Sequence, residues 1–317
     1  MDDNSHTSEI FKENEVDLRE LLATLWGDRR VISMISGIAA AISLVIALLL
    51  PNIYTATALL APAESSGGGM SSLMSQYGGL ASLAGVSLPG GDDASRTQLG
   101  IELMKSRAFI GQFVERHHIL PELMAFESWD MVTGSVTFDP DEYIEKSQKW
   151  VRSIAPPFEP KPSLLEAHEA FMEILTISEG KDTGYVTVSI EHQSPVIAAK
   201  WVKWLVEDVN AAVKKQDVDE ATKSIEYLKE QISKTSLADL QSVFFDLIQS
   251  QTETVMLAQV RPEYVFKTID PPVVPEEKSE PSRALICVIG TFIGAFFGAI
   301  AVLLRRSAHS DMGISLS

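Results

Sequence analysis

Apolar positions dominate the two ends of this chain and become periodic between them. Val31 to Leu50, "VISMISGIAAAISLVIALLL", contains no charged residue, and neither does Ala284 to Leu304, "ALICVIGTFIGAFFGAIAVLL". As a helix rising about 1.5 Å per residue, each is about 30 Å long, the thickness of bilayer hydrocarbon. Both read as membrane spans, which divides the chain into a tail (1–30), a first span (31–50), an intervening domain (51–283), a second span (284–304) and a second tail (305–317). A cleaved signal peptide is the competing reading of the first run, with "ATA" at Ala56 to Ala58 as its cleavage site. Such peptides have apolar cores of about 7–15 residues, and here the acidic "EVDLRE" precedes a longer one, which favours a span.

After the first span, "NIYTATALLAPA" alternates: Tyr54, Ala56, Ala58 and Leu60 share one face, and Ile53, Thr55, Thr57 and Leu59 the other, as in a strand. A Gly- and Ser-rich loop follows, "ESSGGGMSSLMSQYGGLASLAGVSLPGGDD", with Leu73, Met74, Tyr77, Leu80, Leu83 and Val86 interleaved as packing residues. From Ser95 the pattern is helical through Leu99, Leu103, Ala108, Ile110, Phe113 and Val114, ending at "HHILP". Further helices are expected at Tyr143 to Ile154 and Ser163 to Leu175. "ILTISE" and "GYVTVSIEH", joined by "GKDTG", read as a β-hairpin.

The longest periodic run begins where Ser194 can cap a helix with Pro195 in its first turn. No proline or glycine interrupts it to Lys234. Its apolar stripe runs through Val202, Val206, Val209 and Val213, then Ala221, Ile225, Leu228 and Ile232. Forty-odd helical residues reach about 60 Å, and so narrow a stripe asks for a partner helix, from this chain or a second copy. Ser236 and Asp239 have capping-box spacing and would open a second helix running to Val260, so the projection occupies about 194–260. The alternative is one helix continuing through. "EYVFKTIDPPVVP" is strand-like and leads back to the second span; a first and a last strand that pair would close an α/β base. The expected class is α+β: two transmembrane helices flanking an α/β base with a long extended helix.

Composition narrows the class. A net charge of −17 argues against nucleic acid and against anionic lipid as the main partner. Arg29 and Arg30 abut the first span and Arg305 and Arg306 the second, which keeps both termini cytoplasmic and exports 51–283. The only cysteine, Cys287, lies in the second span, so the exported part carries no disulfide, consistent with a bacterial periplasm. Inside that span Gly290, Gly294 and Gly298 recur every fourth residue, the spacing that lets helix backbones approach closely in lipid. Before it, Pro271, Pro272 and Pro275 hold an extended, non-helical connection and Pro281 can sit in the first turn of the span.

"EVDLRELLATLWGDRRVI", "YTATALLAP", "YGGLASLAGVSLPGG" followed by a helix, "LQSVFFDLIQSQTETVMLAQV" and the proline-rich approach to the second span together resemble the Wzz chain-length determinants, the class 1 polysaccharide co-polymerases. The family's proline signature, roughly P-x-x-P-x-x-P-S-x-P, is partly matched: Pro272, Pro275, Pro281 and Ser282 are present, and "EEKSE" stands in its middle. The resemblance implies a bacterial inner-membrane protein and a bell-shaped homo-oligomer. It would set the modal length of an O-antigen-like polysaccharide made by a Wzy-type polymerase on a lipid carrier, without catalysis or cofactor of its own.

Catalytic constellations are missing from the sequence. There is no G-x-x-x-x-G-K-[ST] loop, and the tail after Arg306 is too short for a kinase, which sets the chain apart from co-polymerases carrying one but not from those with a separate kinase for capsule or exopolysaccharide. A two-span sensory receptor is the rival class; it needs an output module after its second span, where only a short tail follows. Glu166, Glu169 and Glu173 share a helix face, as a glycosidase carboxylate pair would, and read instead as a solvated acidic face. His117 and His118, adjacent and without a third ligand at metal spacing, read as a solvated helix end.

Overall fold

The computed structural model describes residues 26–63, 92–235 and 237–313. It divides into two compact units, Met1–Asn52 with Ser279–Ser317, and Ile53–Lys278. In the first, helix α1 (Arg29–Leu49) packs against the last helix of the chain, α8 (Arg283–Gly313). Both are long and apolar enough to cross a membrane. The last helix starts one residue before the expected span and continues beyond Leu304 to Gly313.

The second unit is a four-stranded sheet covered on one face by helices. Its elements in order are β1 (Tyr54–Pro62), α2 (Asp92–Lys105), α3 (Arg107–His117), α4 (Leu120–Met124), β2 (Phe126–Trp129), β3 (Val136–Phe138), β4 (Tyr143–Ile144), β5 (Lys149–Trp150), α5 (Leu164–Ile174), β6 (Leu175–Glu179), β7 (Val186–His192), α6 (Pro195–Lys234), α7 (Ala238–Val260) and β8 (Phe266–Asp270). Strand order is β6-β7-β1-β8 and every pair is antiparallel. Period-two alternation puts Tyr54, Ala56, Ala58 and Leu60 of β1 beside Val186, Val188 and Ile190 of β7 on the buried face. The opposite face is polar, with Thr57 and Ser189 hydrogen-bonded across the strands at 2.9 Å. Beneath the helices lie Phe113, Phe171 and Trp201, all at most 1% exposed, the first two edge to face at 5.4 Å.

The first and last strands do pair, Pro62 opposite Phe266 and Leu59 opposite Asp270, and the β6–β7 hairpin forms as its turn residues require, with Gly184 at φ +66. Two expectations change. The helical run from Ser95 starts at Asp92 and breaks at Ser106, whose hydroxyl accepts the Phe109 N–H and starts α3. No helix forms over 143–154: β4 and β5 pair there instead, Tyr143 opposite Trp150, with a 3₁₀ turn and left-handed Gln148 between them. The pairing joins two rings 4.9 Å apart, which a helix would separate onto different turns. The small β2–β3 sheet carries no sequence pattern long enough to have announced it. The Gly- and Ser-rich loop, with its six packing residues, lies outside the described residues up to position 91, and its last two residues, Asp92 and Asp93, open α2.

Candidate functional site

The long helix forms as its sequence dictates. Ser194 Oγ accepts the Ile197 N–H at 3.4 Å, Pro195 takes a position whose N–H would have no helical partner, and 40 residues follow without a break. Thr235 then turns extended, and α7 begins at Ala238 with Leu237 at its N-cap. The chain therefore makes a hairpin of two packed helices, α6 against α7. The suggested box falls partly outside the described residues: Ser236 and the side chain of Asp239 are not among them.

Two halves of α6 differ. Val202, Val206, Val209 and Val213 are at most 6% exposed and belong to the core that α6 forms with the sheet and its covering helices. They present no surface to a second copy. Farther along, Ala221 and Leu228 are buried, Ile225 and Ile232 are half-buried, and Tyr227 is 61% exposed. α7 adds Phe245 and Met256, exposed at 59% and 63%.

Asn210 ties this helix to the returning strand. Its Oδ1 accepts the backbone N–H groups of Tyr264, Val265 and Phe266 at 3.1, 2.8 and 2.9 Å, and its Nδ2 donates to the Phe266 carbonyl at 3.0 Å. Nothing in the sequence pattern marked it, because a single Asn in a long amphipathic helix looks like a surface residue. It is 4% exposed. Two turns on, Asp217 accepts the Tyr264 hydroxyl at 2.8 Å, with Arg96 of α2 3.7 Å away. Burial first, and then that bond, push the Tyr264 hydroxyl up to about 12, so it remains a donor. Gly100 brings α2 close to β8: a Cβ there would stand 2.6 Å from the Phe266 ring.

Within the pair of apolar helices, Gly290, Gly294 and Gly298 face α1. A Cβ at Gly294 would meet Ala39 Cβ at 2.5 Å and Ser36 Cα at 3.0 Å, one at Gly298 would meet Ile32 Cα at 3.2 Å, and one at Gly290 would collide with Ser43. Ser36 Oγ donates to the Thr291 carbonyl at 3.1 Å beside this contact. Arg283 closes one end of the pair, its guanidinium donating to the Ala47 carbonyl and Asn52 Oδ1 at 3.1 and 3.0 Å. There it satisfies a free carbonyl at the C-terminus of α1.

Pro271, Pro272 and Pro275 lie in a segment without helix or ladder after β8. Pro281 does not enter the first turn of α8. Ser282 holds the capping position, its carbonyl accepting the Leu285 and Ile286 N–H groups, and Pro281 precedes it.

Two polar candidates change character. Glu166 completes a capping box with Ser163 and meets Arg152 at 2.6 Å; the Ser163 N–H and then that guanidinium hold its carboxyl below the usual range. Glu169 and Glu173 remain exposed. His118 is exposed at the left-handed C-cap of α3, but His117 stacks on Trp204 at 4.1 Å and reaches Asp208 at 3.0 Å. Among the described residues, no group of three or more His, Cys, Asp or Glu side chains could hold a metal ion.

Residues 14–117 match the family model described as Wzz, chain length determinant protein. Residues 240–307, from α7 through the proline segment into α8, match one described as GNVR, G-rich domain on putative tyrosine kinase. No curated protein matches at a significant level. Among solved structures, a full-length bacterial polysaccharide co-polymerase is 15% identical with a TM-score of 0.38, the alignment covering 93% of this chain and 99% of that one. A fragment of WzzB, a polysaccharide co-polymerase from Salmonella Typhimurium, is 14% identical with a TM-score of 0.28, covering 72% and 100%.

Proposed function

We propose, from the match of residues 14–117 to the Wzz chain length determinant model, that this chain sets the modal length of a bacterial surface polysaccharide, O-antigen-like, acting without catalysis of its own. The family match is the observation that carries this reading. In it, the two apolar helices are inner-membrane spans with both termini cytoplasmic, residues 51–283 are periplasmic, and the chain works as a ring-like homo-oligomer beside a Wzy-type polymerase and its lipid-linked polymer. The exposed distal half of α6 with α7 is the surface this reading assigns to neighbouring copies, since the proximal valines are committed to their own core.

A gel ladder of surface polysaccharide from cells with and without the gene tests it. A modal cluster that disappears with the gene and returns with it is expected; an unchanged distribution overturns the reading.

The match at residues 240–307 favours a second reading, a co-polymerase for capsule or exopolysaccharide paired with a separate tyrosine kinase. The same deletion then leaves lipopolysaccharide unchanged and alters the size of the secreted polymer, and a tyrosine-phosphorylated kinase co-purifies with the chain.

A further inference from the structure

A cleft of about 1300 Å³ opens beside the sheet, between the end of α3, α4, the β4–β5 turn and the loop leading to α5. It exceeds the roughly 300–1,000 Å³ typical of small-molecule sites and suits an elongated ligand. Its aromatic lining is Tyr143 and Trp150, packed on one another, and Phe158, which is 53% exposed. The rim is built in advance. Arg152 donates to the Pro160 carbonyl at 2.8 Å, to the Glu159 carbonyl at 2.9 Å and to Glu166 at 2.6 Å, so the loop carrying Phe158 is held without a ligand.

Polar groups around the rings divide into two sets. Glu166 and Ser163 are consumed by capping and by Arg152. Glu115, His118, Gln148, Glu159 and Lys161 are exposed, and their side chains make no hydrogen bond or ion pair among the described residues. His118 (φ 54) and Gln148 (φ 50) are also the two non-glycine residues with positive φ among the described residues, and both line this cleft. Each ends a helical segment in the left-handed C-cap conformation.

We propose that this cleft binds a short, neutral stretch of polysaccharide; the proposal rests on the reading that the chain acts on such a polymer. Sugar rings offer an apolar C–H face to aromatic side chains and hydroxyls to the carboxylate, amide and imidazole groups around them. Charges of both signs stand free on the rim, Glu115 and Glu159 with Lys161, so no cationic surplus selects a phosphate-rich ligand such as the pyrophosphate of a lipid carrier. An extended peptide would be captured along a strand edge or a continuous apolar groove, whereas this lining mixes aromatic side chains with free polar groups.

The test uses the full chain in lipid nanodiscs. The probe is surface polysaccharide of the encoding bacterium, freed from lipid by mild acid and cut to short fragments, with binding followed by saturation-transfer NMR and calorimetry. Phe158→Ala and Glu115→Ala alter exposed groups and should each weaken binding at least tenfold, while Tyr227→Ala on distal α6 leaves it unchanged. Excess inorganic pyrophosphate should not compete. Absence of binding by the unmodified chain, equal binding by both cleft variants, or displacement by pyrophosphate would each overturn the assignment. If binding is absent while the polysaccharide ladder still depends on the gene, the cleft assignment fails alone. If the fragments bind but the ladder ignores the gene, the length-control reading fails and the cleft stands.

Discussion

The proximal and distal halves of α6 use the same helical geometry for opposite ends. From Ile197 to Val213 the helix buries Trp201 and the four valines against the sheet, and Asn210 fastens it to β8. From Ala221 to Lys234 its company is α7, and large apolar side chains stay in solvent. A helix interior to a domain rarely exceeds about twenty residues, and this one has 40 because the sheet uses only its first half. Burial therefore separates a folding surface from the surface proposed for assembly, on an element whose sequence repeat looks continuous.

Breaking the folding half should have the largest effect. Asn210→Ala strands three buried N–H groups and a carbonyl; at about 1–3 kcal/mol for each buried group left unsatisfied, and allowing for relaxation, a loss of about 4 kcal/mol is expected. Urea unfolding of the full chain in detergent, followed by tryptophan fluorescence, measures it. A loss below about 1 kcal/mol would mean that water replaces these bonds and that the strand is held otherwise.

Acid should attack the same half. His192 sits under Trp201 and Phe126, and its Nδ1 accepts the Ser194 N–H at the start of α6. Burial lowers its pKa from the usual 6.5 to about 4, so the imidazole is neutral when folded. The stabilisation is fully present above pH 6.5; as pH falls from there to about 4, the unfolded chain binds a proton that the folded chain refuses, and about 3 kcal/mol is lost. The difference between unfolding curves of the unmodified chain and of His192→Gln across that window isolates this term. Parallel curves would contradict the assignment.

The pair of apolar helices gives a smaller effect. Gly294→Leu forces a side chain onto Ala39 and Ser36, an overpacking that costs about 1–3 kcal/mol and separates α8 from its own chain's α1. Pro275→Ala leaves the other prolines to hold an extended connection. At matched protein levels, the polysaccharide ladder should change more with Gly294→Leu than with Pro275→Ala. The reverse order would place the coupling in the proline segment.

Much of the architecture was legible because periodicity records burial: Ala56, Ala58 and Leu60 alternate as the strand does, and Ser194–Pro195 marks the start of α6. The surface assigned to neighbours was less so. Val209 and Ile225 have the same chemistry and fall on one repeat, yet only tertiary contacts decide that one is interior and the other half-open. Asn210 and the Tyr143–Trp150 pairing were illegible for a related reason, since their partners lie on other strands or are backbone groups whose position no spacing reveals.

The smallest effect on folding should have the largest effect on assembly. Ile225→Asp with Ile232→Asp changes half-buried positions and should move the unfolding midpoint little. The mass of the full chain purified in detergent, unmodified and carrying both substitutions, tests the division of α6 most directly. The account predicts a homo-oligomer that falls towards monomer in the double variant while the unfolding curve stays close to that of the unmodified chain. An oligomer of unchanged mass would show that the distal half of α6 is not where copies meet.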